Sequence, residues 1–349
     1  MNVATRIASL ILFTAATLAL AISPRLARAH NGGIVVQLKN NKIVVGADTE
    51  QPGDLPDMTA RSFQSLLRPD LYGQDIPSFL SLSDAPAGTD PLPPVTNVYW
   101  DFLPMTVNGV TSNLLYWNGV GTTVASVHFG AVPKAGVTMG LYNVTDGTSA
   151  LVSATPDMVA GSLLGITEAA GSGLRMHRHN FFLLDDGDGG IPPTTVPEGI
   201  YLLAMQLRMN GYIASDPFYV VADTYNHFST QFLDPLNAAL AWVGQNTDTL
   251  IRPGDYNFDG QVNAGDYATW RSQFGSAGPF PINGDFADGN RDGRVDAADY
   301  VYLRDRQAGS AVGTGGAAGA GVPEPTSMLF LFWAAATGVL WKRWRIGAD

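Results

Sequence analysis

A twelve-residue pattern rich in Asp, Asn and Gly occurs twice in this 349-residue sequence, at 255–266 and at 288–299. Both copies carry an oxygen-bearing side chain at positions 1, 3, 5, 9 and 12 and a glycine at position 6. This is the spacing of a calcium loop, in which alternate residues point inward and Ca²⁺ takes about six to eight oxygen ligands. The glycines, Gly260 and Gly293, permit the sharp turn that such a loop needs.

The pattern therefore predicts two bound Ca²⁺ ions, each held by one copy. The ligands predicted for the first ion are Asp255, Asn257, Asp259, Gln261, Asn263 and Asp266. Those predicted for the second ion are Asp288, Asn290, Asp292, Arg294, Asp296 and Asp299. Gln261 and Arg294 stand at position 7, which contributes only a backbone carbonyl.

Each loop runs into a predicted helix, at 267–274 and 300–304, but no helix is evident before either loop. Position 12 is Asp instead of the Glu typical of EF-hand sensors. In both respects the small α, EF-hand-like region at 251–308 resembles dockerin type I modules. The resemblance implies a calcium-ordered fold that attaches extracellular proteins, often glycan-degrading enzymes, to cohesin receptors. Known dockerins often contact cohesin through Ser-Thr-like pairs at loop positions 10 and 11, which here are Ala264-Gly265 and Ala297-Ala298. The binding partner is therefore expected to be either a cohesin-like protein or another envelope protein.

The N-terminus is typical of a secretory signal peptide at 1–29. Arg6 gives the positively charged start, Ile7 to Ile22 is an apolar run, and Ala27-Arg28-Ala29 is a small-x-small cleavage site. Cleavage there would make His30 the first residue. The alternative is an uncleaved N-terminal membrane helix.

The C-terminus carries a second apolar segment, Met328 to Trp341, followed by a basic cluster. A basic flank stays on the cytoplasmic side, so a membrane helix here would leave the preceding chain outside. Pro323-Glu324-Pro325 stands just upstream, after a Gly/Ala linker at 309–322. In this order, the features at 323–349 resemble the PEP-CTERM sorting signal of exported bacterial proteins. The resemblance implies processing by an exosortase-type protease, at least transient anchoring in the inner membrane and delivery to the cell envelope. An ordinary C-terminal anchor would give the same topology.

The region between these features, 30–250, is predicted to be a mainly β, sandwich-like domain. Asn40-Asn41 separates two short apolar runs and predicts a hairpin. Many further short strands with Gly and Pro turns, and no alternation of strands with helices, favour a sandwich. Residues 51–94 are expected to form an irregular insertion, and a short helix is expected at 234–243. The further strand candidates are 98–102, 114–117, 122–129, 137–143, 181–184, 200–209 and 218–221.

Histidine is the residue type that most suggests a second kind of metal site. The sequence has no Cys and five His, which removes thiolate sites and leaves His30, His128, His177 and His179 as candidate ligands for Zn²⁺ or Cu²⁺. His177 and His179 alternate, so on a strand both face one side. After cleavage, the imidazole and the free α-amine of His30 could chelate one metal ion. This arrangement resembles the histidine brace of copper-binding proteins and lytic polysaccharide monooxygenases.

A second resemblance concerns the same histidines. The run His177-Arg-His179-Asn-Phe followed by Pro197-Glu-Gly-Ile-Tyr resembles the His-x-His-Asn…Pro-Gly-x-Tyr segment of bacterial surface-anchored repeat domains. The segment 214–220 is similar to a segment of exported PEP-CTERM proteins that are associated with zinc-repressed genes. Together these resemblances imply a zinc- or copper-related envelope protein. Alternatively, each histidine is a polar surface residue or a hydrogen-bonded core residue.

No catalytic residue is predicted, because the chain lacks a nucleophile elbow, a P-loop and a dinucleotide fingerprint. A net charge of −11 excludes nucleic acid as a partner, since phosphate binding needs a basic surface. The first hypothesis is thus a non-enzymatic binding or structural protein of the cell envelope. The alternative is an extracellular carbohydrate-active protein that binds or hydrolyses polysaccharide.

Overall fold

The computed structural model describes residues 33–49, 55–145, 147–171, 174–187, 195–224, 233–251, 254–257, 261–277, 287–290 and 292–310. The strands, in chain order β1 to β16, are Ile34–Lys39, Lys42–Ala47, Ser62–Leu66, Gly73–Gln74, Phe79–Leu82, Asn97–Leu103, Met105–Val107, Val110–Ser112, Leu115–Trp117, Thr138–Tyr142, Ser149–Val152, Val159–Ile166, Leu174–Arg178, Phe181–Asp185, Ile200–Arg208 and Phe218–Asp223. The helices are α1 (Leu233–Leu250), α2 (Ala264–Gln273) and α3 (Ala297–Ser310), and a 3-10 turn spans Val124–Ser126. This content confirms the prediction of a mainly β chain.

The strands form three larger sheets and a small hairpin. A six-stranded sheet is ordered β12-β6-β15-β16-β3, with β9 also paired to β15. Two four-stranded sheets are ordered β13-β5-β1-β2 and β11-β10-β14-β4, and β7 pairs with β8. Two pairings are parallel, β1 with β5 and β16 with β3, and the other strand pairs are antiparallel.

The six-stranded sheet is buried on both faces, which explains why β15 and β16 are nearly continuous apolar runs. One face, including Trp100 and Phe218, shares a core with inward-facing side chains of both four-stranded sheets. This shared core agrees with the sandwich-like prediction. The opposite face, including Tyr219 and Val221, packs against the apolar side of α1. The helix therefore adds a third layer that the sequence did not predict.

Several local predictions are confirmed and two are wrong. The Asn40-Asn41 hairpin forms as β1 and β2, and strands occupy most of the other predicted runs. The stretch 51–94 is not an irregular insertion, because it contributes β3, β4 and β5 to three sheets. Residues 122–129 are not a strand, because they contain the 3-10 turn. The helix expected at 234–243 continues to Leu250.

Outside the described residues lie the predicted signal peptide at 1–29, the sorting segment at 323–349 and most of the linker at 309–322. The linker prediction is corrected only at its first two residues, which belong to the end of α3. Of the helices that the structure describes, none is long and apolar enough to cross a membrane.

The β1–β2 turn gives a first testable prediction. Asn40 and Asn41 adopt φ values of 51° and 65°, a left-handed conformation that Asn and Gly tolerate and β-branched residues do not. Replacing Asn40 with Val should lower the free energy of unfolding by about 1–2 kcal/mol, whereas Asn40→Gly should change it little. Urea unfolding of the calcium-loaded protein measures both. Equal stabilities of the two variants would contradict the role assigned to this backbone conformation.

A buried ion pair ties two neighbouring strands of the six-stranded sheet. Asp101 on β6 has no solvent exposure and Arg208 on β15 is 8% exposed. Arg208 donates from Nη2 to Asp101 Oδ1 at 2.7 Å and from Nε to Oδ2. Gln206 Nε2 and the backbone N–H of Gly161 also donate to Asp101. The carboxylate is thus fully surrounded by donors, as a buried charge requires.

Candidate metal centres

The two loops of the duplicated pattern are closed in the same way by their last residue. Asp266, at position 12 of the first loop, accepts hydrogen bonds at Oδ1 from the backbone N–H groups of Tyr256 (2.6 Å) and Asn257 (3.1 Å). Its Oδ2 accepts from the N–H of Asn263 at 2.7 Å. The carboxylate therefore links positions 2, 3 and 9 of its own loop to the first turn of α2.

The second loop repeats this arrangement. Asp299 accepts at Oδ1 from the N–H of Asn290 (3.0 Å) and at Oδ2 from the N–H of Asp296 (2.7 Å), which are again positions 3 and 9. Asp266 and Asp299 both have 0% solvent exposure. The sequence repeat has thus become a structural repeat, with one buried carboxylate at the start of α2 and one at the start of α3.

The second loop concentrates negative charge around the buried carboxylate of Asp299. Burial, together with the charges of Asp299 and Asp292, raises the pKa of Asp288 to about 6. Burial also raises the pKa of Asp299. A cation bound to these oxygens would offset the repulsion between the carboxylates.

The donor set fits Ca²⁺ and not a transition metal. The side-chain donors at loop positions 1, 3, 5, 9 and 12 are carboxylate and amide oxygens, and neither loop contains His or Cys. Asp259, at position 5 of the first loop, lies outside the described residues. In the second loop Asp288 Oδ2 accepts from the N–H of Gly293 at 2.8 Å, so the oxygens also hold the turn together.

A small aromatic core joins the loops and helices. Trp270 of α2 is buried against Tyr267, Tyr300 and Phe274, with ring centroids 5.0–5.6 Å apart. Its Nε1–H donates to the carbonyl of Asp296 in the second loop at 2.9 Å. The hydroxyl of Tyr256 in the first loop donates to the carbonyl of Asp299 at 2.7 Å. The two loops therefore form one packed unit in which each loop supports the other.

The structure brings two of the candidate histidines together. His177 on β13 and His179, just after it, place their Nε2 atoms 3.1 Å apart. His179 Nδ1 lies 3.4 Å from the carboxylate of Asp75, which follows β4. This contact raises the pKa of His179 and lowers that of Asp75, whereas partial burial and the neighbouring charges lower the pKa of His177. Asp75 was missed in the sequence because it lies in the stretch expected to be irregular and belongs to no motif.

The other two histidines do not complete this pair in the described part of the chain. His128 is exposed between buried Val127 and Phe129, which pack in the core beneath α1, and it follows the 3-10 turn instead of lying on a strand. Across the described residues, no three His, Asp or Glu side chains form a closed metal site, so His128 does not join His177 and His179. His30 lies outside the described residues, and its role stays a prediction.

Comparison with known proteins identifies one part of the chain. Residues 253–306 match the family of the dockerin type I domain. No curated protein and no solved structure matches the sequence. The match coincides with the two loops, α2 and most of α3, and it confirms the predicted dockerin-like module. Dockerin type I domains are extracellular, calcium-binding modules for protein–protein interaction. We conclude that residues 253–306 of this chain form a dockerin type I domain.

Proposed function

We propose that this protein is an exported, non-enzymatic binding protein of the cell envelope. Two Ca²⁺ ions order its dockerin type I domain, and this domain attaches the β domain to a partner protein. The observation that carries the proposal is the equivalent bracing of both loops by a buried position-12 aspartate, Asp266 and Asp299. Position 12, where both aspartates stand, supplies a side-chain ligand to the ion in a calcium loop.

Calcium titration of the purified mature protein tests the two-ion proposal. Isothermal calorimetry should give two Ca²⁺ per chain, because each loop carries an oxygen-bearing side chain at positions 1, 3, 5, 9 and 12. Asp299→Asn should leave one ion bound with near-normal affinity. A stoichiometry of one for the unmodified protein, or two unaltered sites in the variant, would contradict the assignment of one ion to each loop.

The partner surface is proposed to include the starts of α2 and α3. Ala264, Ala297 and Ala298 are exposed there, at loop positions 10 and 11. These small apolar side chains replace the hydroxyl pairs that known dockerins often present, so a cohesin-like partner would need an apolar contact at this place. We therefore expect calcium-dependent binding to a cohesin-like receptor or another envelope protein. Ala297→Arg should abolish this binding, and Ala131→Arg, a substitution at an exposed position of the β domain, should leave it intact. Surface plasmon resonance against candidate receptors measures the difference.

Export and anchoring are proposed from the chain ends, which lie outside the described residues. Removal of 1–29 would create His30 as the mature N-terminus, and an exosortase-type protease would process the chain at the Pro323-Glu324-Pro325 segment. Intact-mass spectrometry of the envelope fraction should find both ends trimmed, and Glu324→Ala should leave the C-terminal segment attached. An untrimmed C-terminus in the unmodified protein would favour an ordinary membrane anchor.

The alternative, a polysaccharide-binding or hydrolysing protein, gains no support from the described surface. Carbohydrate sites commonly expose Trp or Tyr along a groove. In the described part of the β domain, the exposed large apolar side chains are aliphatic: Leu55, Val95, Val120, Val144, Leu151, Ile166 and Leu174. Binding of the calcium-loaded protein to a soluble polysaccharide in affinity electrophoresis would revive this alternative.

A further inference from the structure

The distance between the Nε2 atoms of His177 and His179 is close to that of two nitrogen ligands bound to one metal ion. His177 Nε2 and His179 Nε2 are 3.1 Å apart. Two nitrogens bound to one Zn²⁺ at about 2.0–2.1 Å in tetrahedral geometry lie about 3.3–3.4 Å apart. The corresponding separation in a square-planar Cu²⁺ site is about 2.8–2.9 Å. The observed distance lies between these values, so the pair can hold either ion with little movement.

Asp75 fixes the ring of His179 in the state that a metal ligand needs. The Nδ1 atom of His179 lies 3.4 Å from Asp75 Oδ2, and a carboxylate at this place favours a proton on Nδ1, which leaves Nε2 as the metal-binding nitrogen. The lone pair of Nε2 is then directed towards His177. A carboxylate that holds the distal nitrogen of a histidine is the usual outer support of a histidine–metal bond.

The backbone that carries the pair is held firmly while the imidazoles stay accessible. Met176, before the pair, is fully buried in the main core, and Asn180, after it, is 2% exposed and donates to the carbonyl of Leu164 at 3.3 Å. Both histidines are exposed. Arg178 between them donates to the carbonyl of Ile166 at 2.8 Å and lies 3.4 Å from Glu168, whose carboxylate partly offsets its charge.

We propose that His177 and His179 bind one divalent transition-metal ion through their Nε2 atoms, with Asp75 as the positioning residue of His179. The site prefers Cu²⁺ over Zn²⁺, in keeping with the general order of affinities for nitrogen ligands. Because no third His, Asp or Glu of the described residues completes a metal site with the pair, the remaining coordination positions are open to water or to a small anionic ligand. This inference is independent of the dockerin type I domain, whose oxygen ligands take Ca²⁺.

The test uses the untagged mature chain saturated with Ca²⁺ and carrying His30→Ala, which removes the separate N-terminal chelate. Calorimetric titration with CuCl₂ or ZnCl₂ should show one transition-metal ion per chain. His177→Ala and His179→Ala should each weaken binding by about 100-fold, and Asp75→Asn by about 10-fold, as expected for the loss of a ligand and of its outer support. His128→Ala, another exposed histidine, is the matched control and should change nothing.

Electron paramagnetic resonance of the Cu²⁺ complex gives a second readout. The spectrum should show nitrogen hyperfine coupling from two imidazoles, reduced to one in either single variant. Retention of the parent melting temperature by the variants in Ca²⁺ shows that they are folded. Absence of transition-metal binding would overturn the proposal. The two Nε2 atoms would then only share a proton in a hydrogen bond. Binding that His177→Ala and His179→Ala leave unchanged would overturn it equally.

Discussion

Removal of Ca²⁺ is expected to unfold the dockerin type I domain while the β domain stays folded. The domain is small, its described core consists of an aromatic cluster around Trp270 with a few aliphatic side chains, and it buries the carboxylates of Asp266 and Asp299. A unit of this size depends on its metal for stability. Two ions, each at about 100 times its dissociation constant, would contribute about 5 kcal/mol, which is comparable to the whole stability of a small domain.

Hydrogen exchange followed by mass spectrometry measures this effect on the mature chain. In excess chelator, amides of α2 and α3 should lose protection, whereas those of β15 and β16, which are buried on both faces, should keep it. Restored Ca²⁺ should restore the protection. If α2 and α3 stay protected in chelator, the aromatic core alone holds the domain and the predicted dependence on metal is wrong.

Single substitutions distinguish the loss of a calcium ligand from the loss of a negative charge elsewhere in the domain. Asp299→Asn removes one negative charge and one of the two side-chain oxygens that accept hydrogen bonds from backbone N–H groups. The second loop should therefore lose about 100-fold in Ca²⁺ affinity, or about 2.7 kcal/mol of binding free energy. Asp305→Asn is the control, because Asp305 lies on the same helix, α3, but is exposed beside Arg304. Equal effects of the two variants would show that affinity depends on net charge and not on loop geometry.

The second large effect is expected in the β domain, where Arg208→Ala should lower the free energy of unfolding by about 3–5 kcal/mol. The substitution leaves the carboxylate of Asp101, which has no solvent exposure, without its charged partner. The remaining donors, Gln206 and the N–H of Gly161, are neutral and cannot offset a buried charge. Urea unfolding in saturating Ca²⁺, monitored at the β-sheet circular dichroism signal, gives the difference.

An exposed ion pair in the same domain provides the control. Arg68 and Asp70 form a pair at 2.8 Å, but about half of each side chain is in solvent. Water solvates either partner when the other is removed, so Arg68→Ala should cost less than about 1 kcal/mol. A similarly small effect of Arg208→Ala would mean that water enters and solvates Asp101, and that the pair does not stabilise the sheet as the packing indicates.

Local patterns predicted the parts of the β domain whose signals lie within a few residues. Asn40-Asn41 gave the β1–β2 hairpin because a two-residue turn fixes its own register. The strands β3 and β5 were missed because each pairs in parallel with a strand distant in sequence, β16 and β1 respectively. Parallel pairing leaves no turn signal, and the Pro- and Asp-rich residues around these strands have the composition of a loop.

The sequence by itself determined the dockerin type I domain, because all ligands of one calcium loop lie within twelve residues and their spacing sets their direction. It also predicted that His177 and His179 point to the same side of the chain, since side chains alternate along extended backbone. Only the tertiary structure decided that Asp75 supports His179 and that Asp101 meets Arg208, 107 residues away. Such contacts arise when separate strands pack around one core, and no local spacing encodes them.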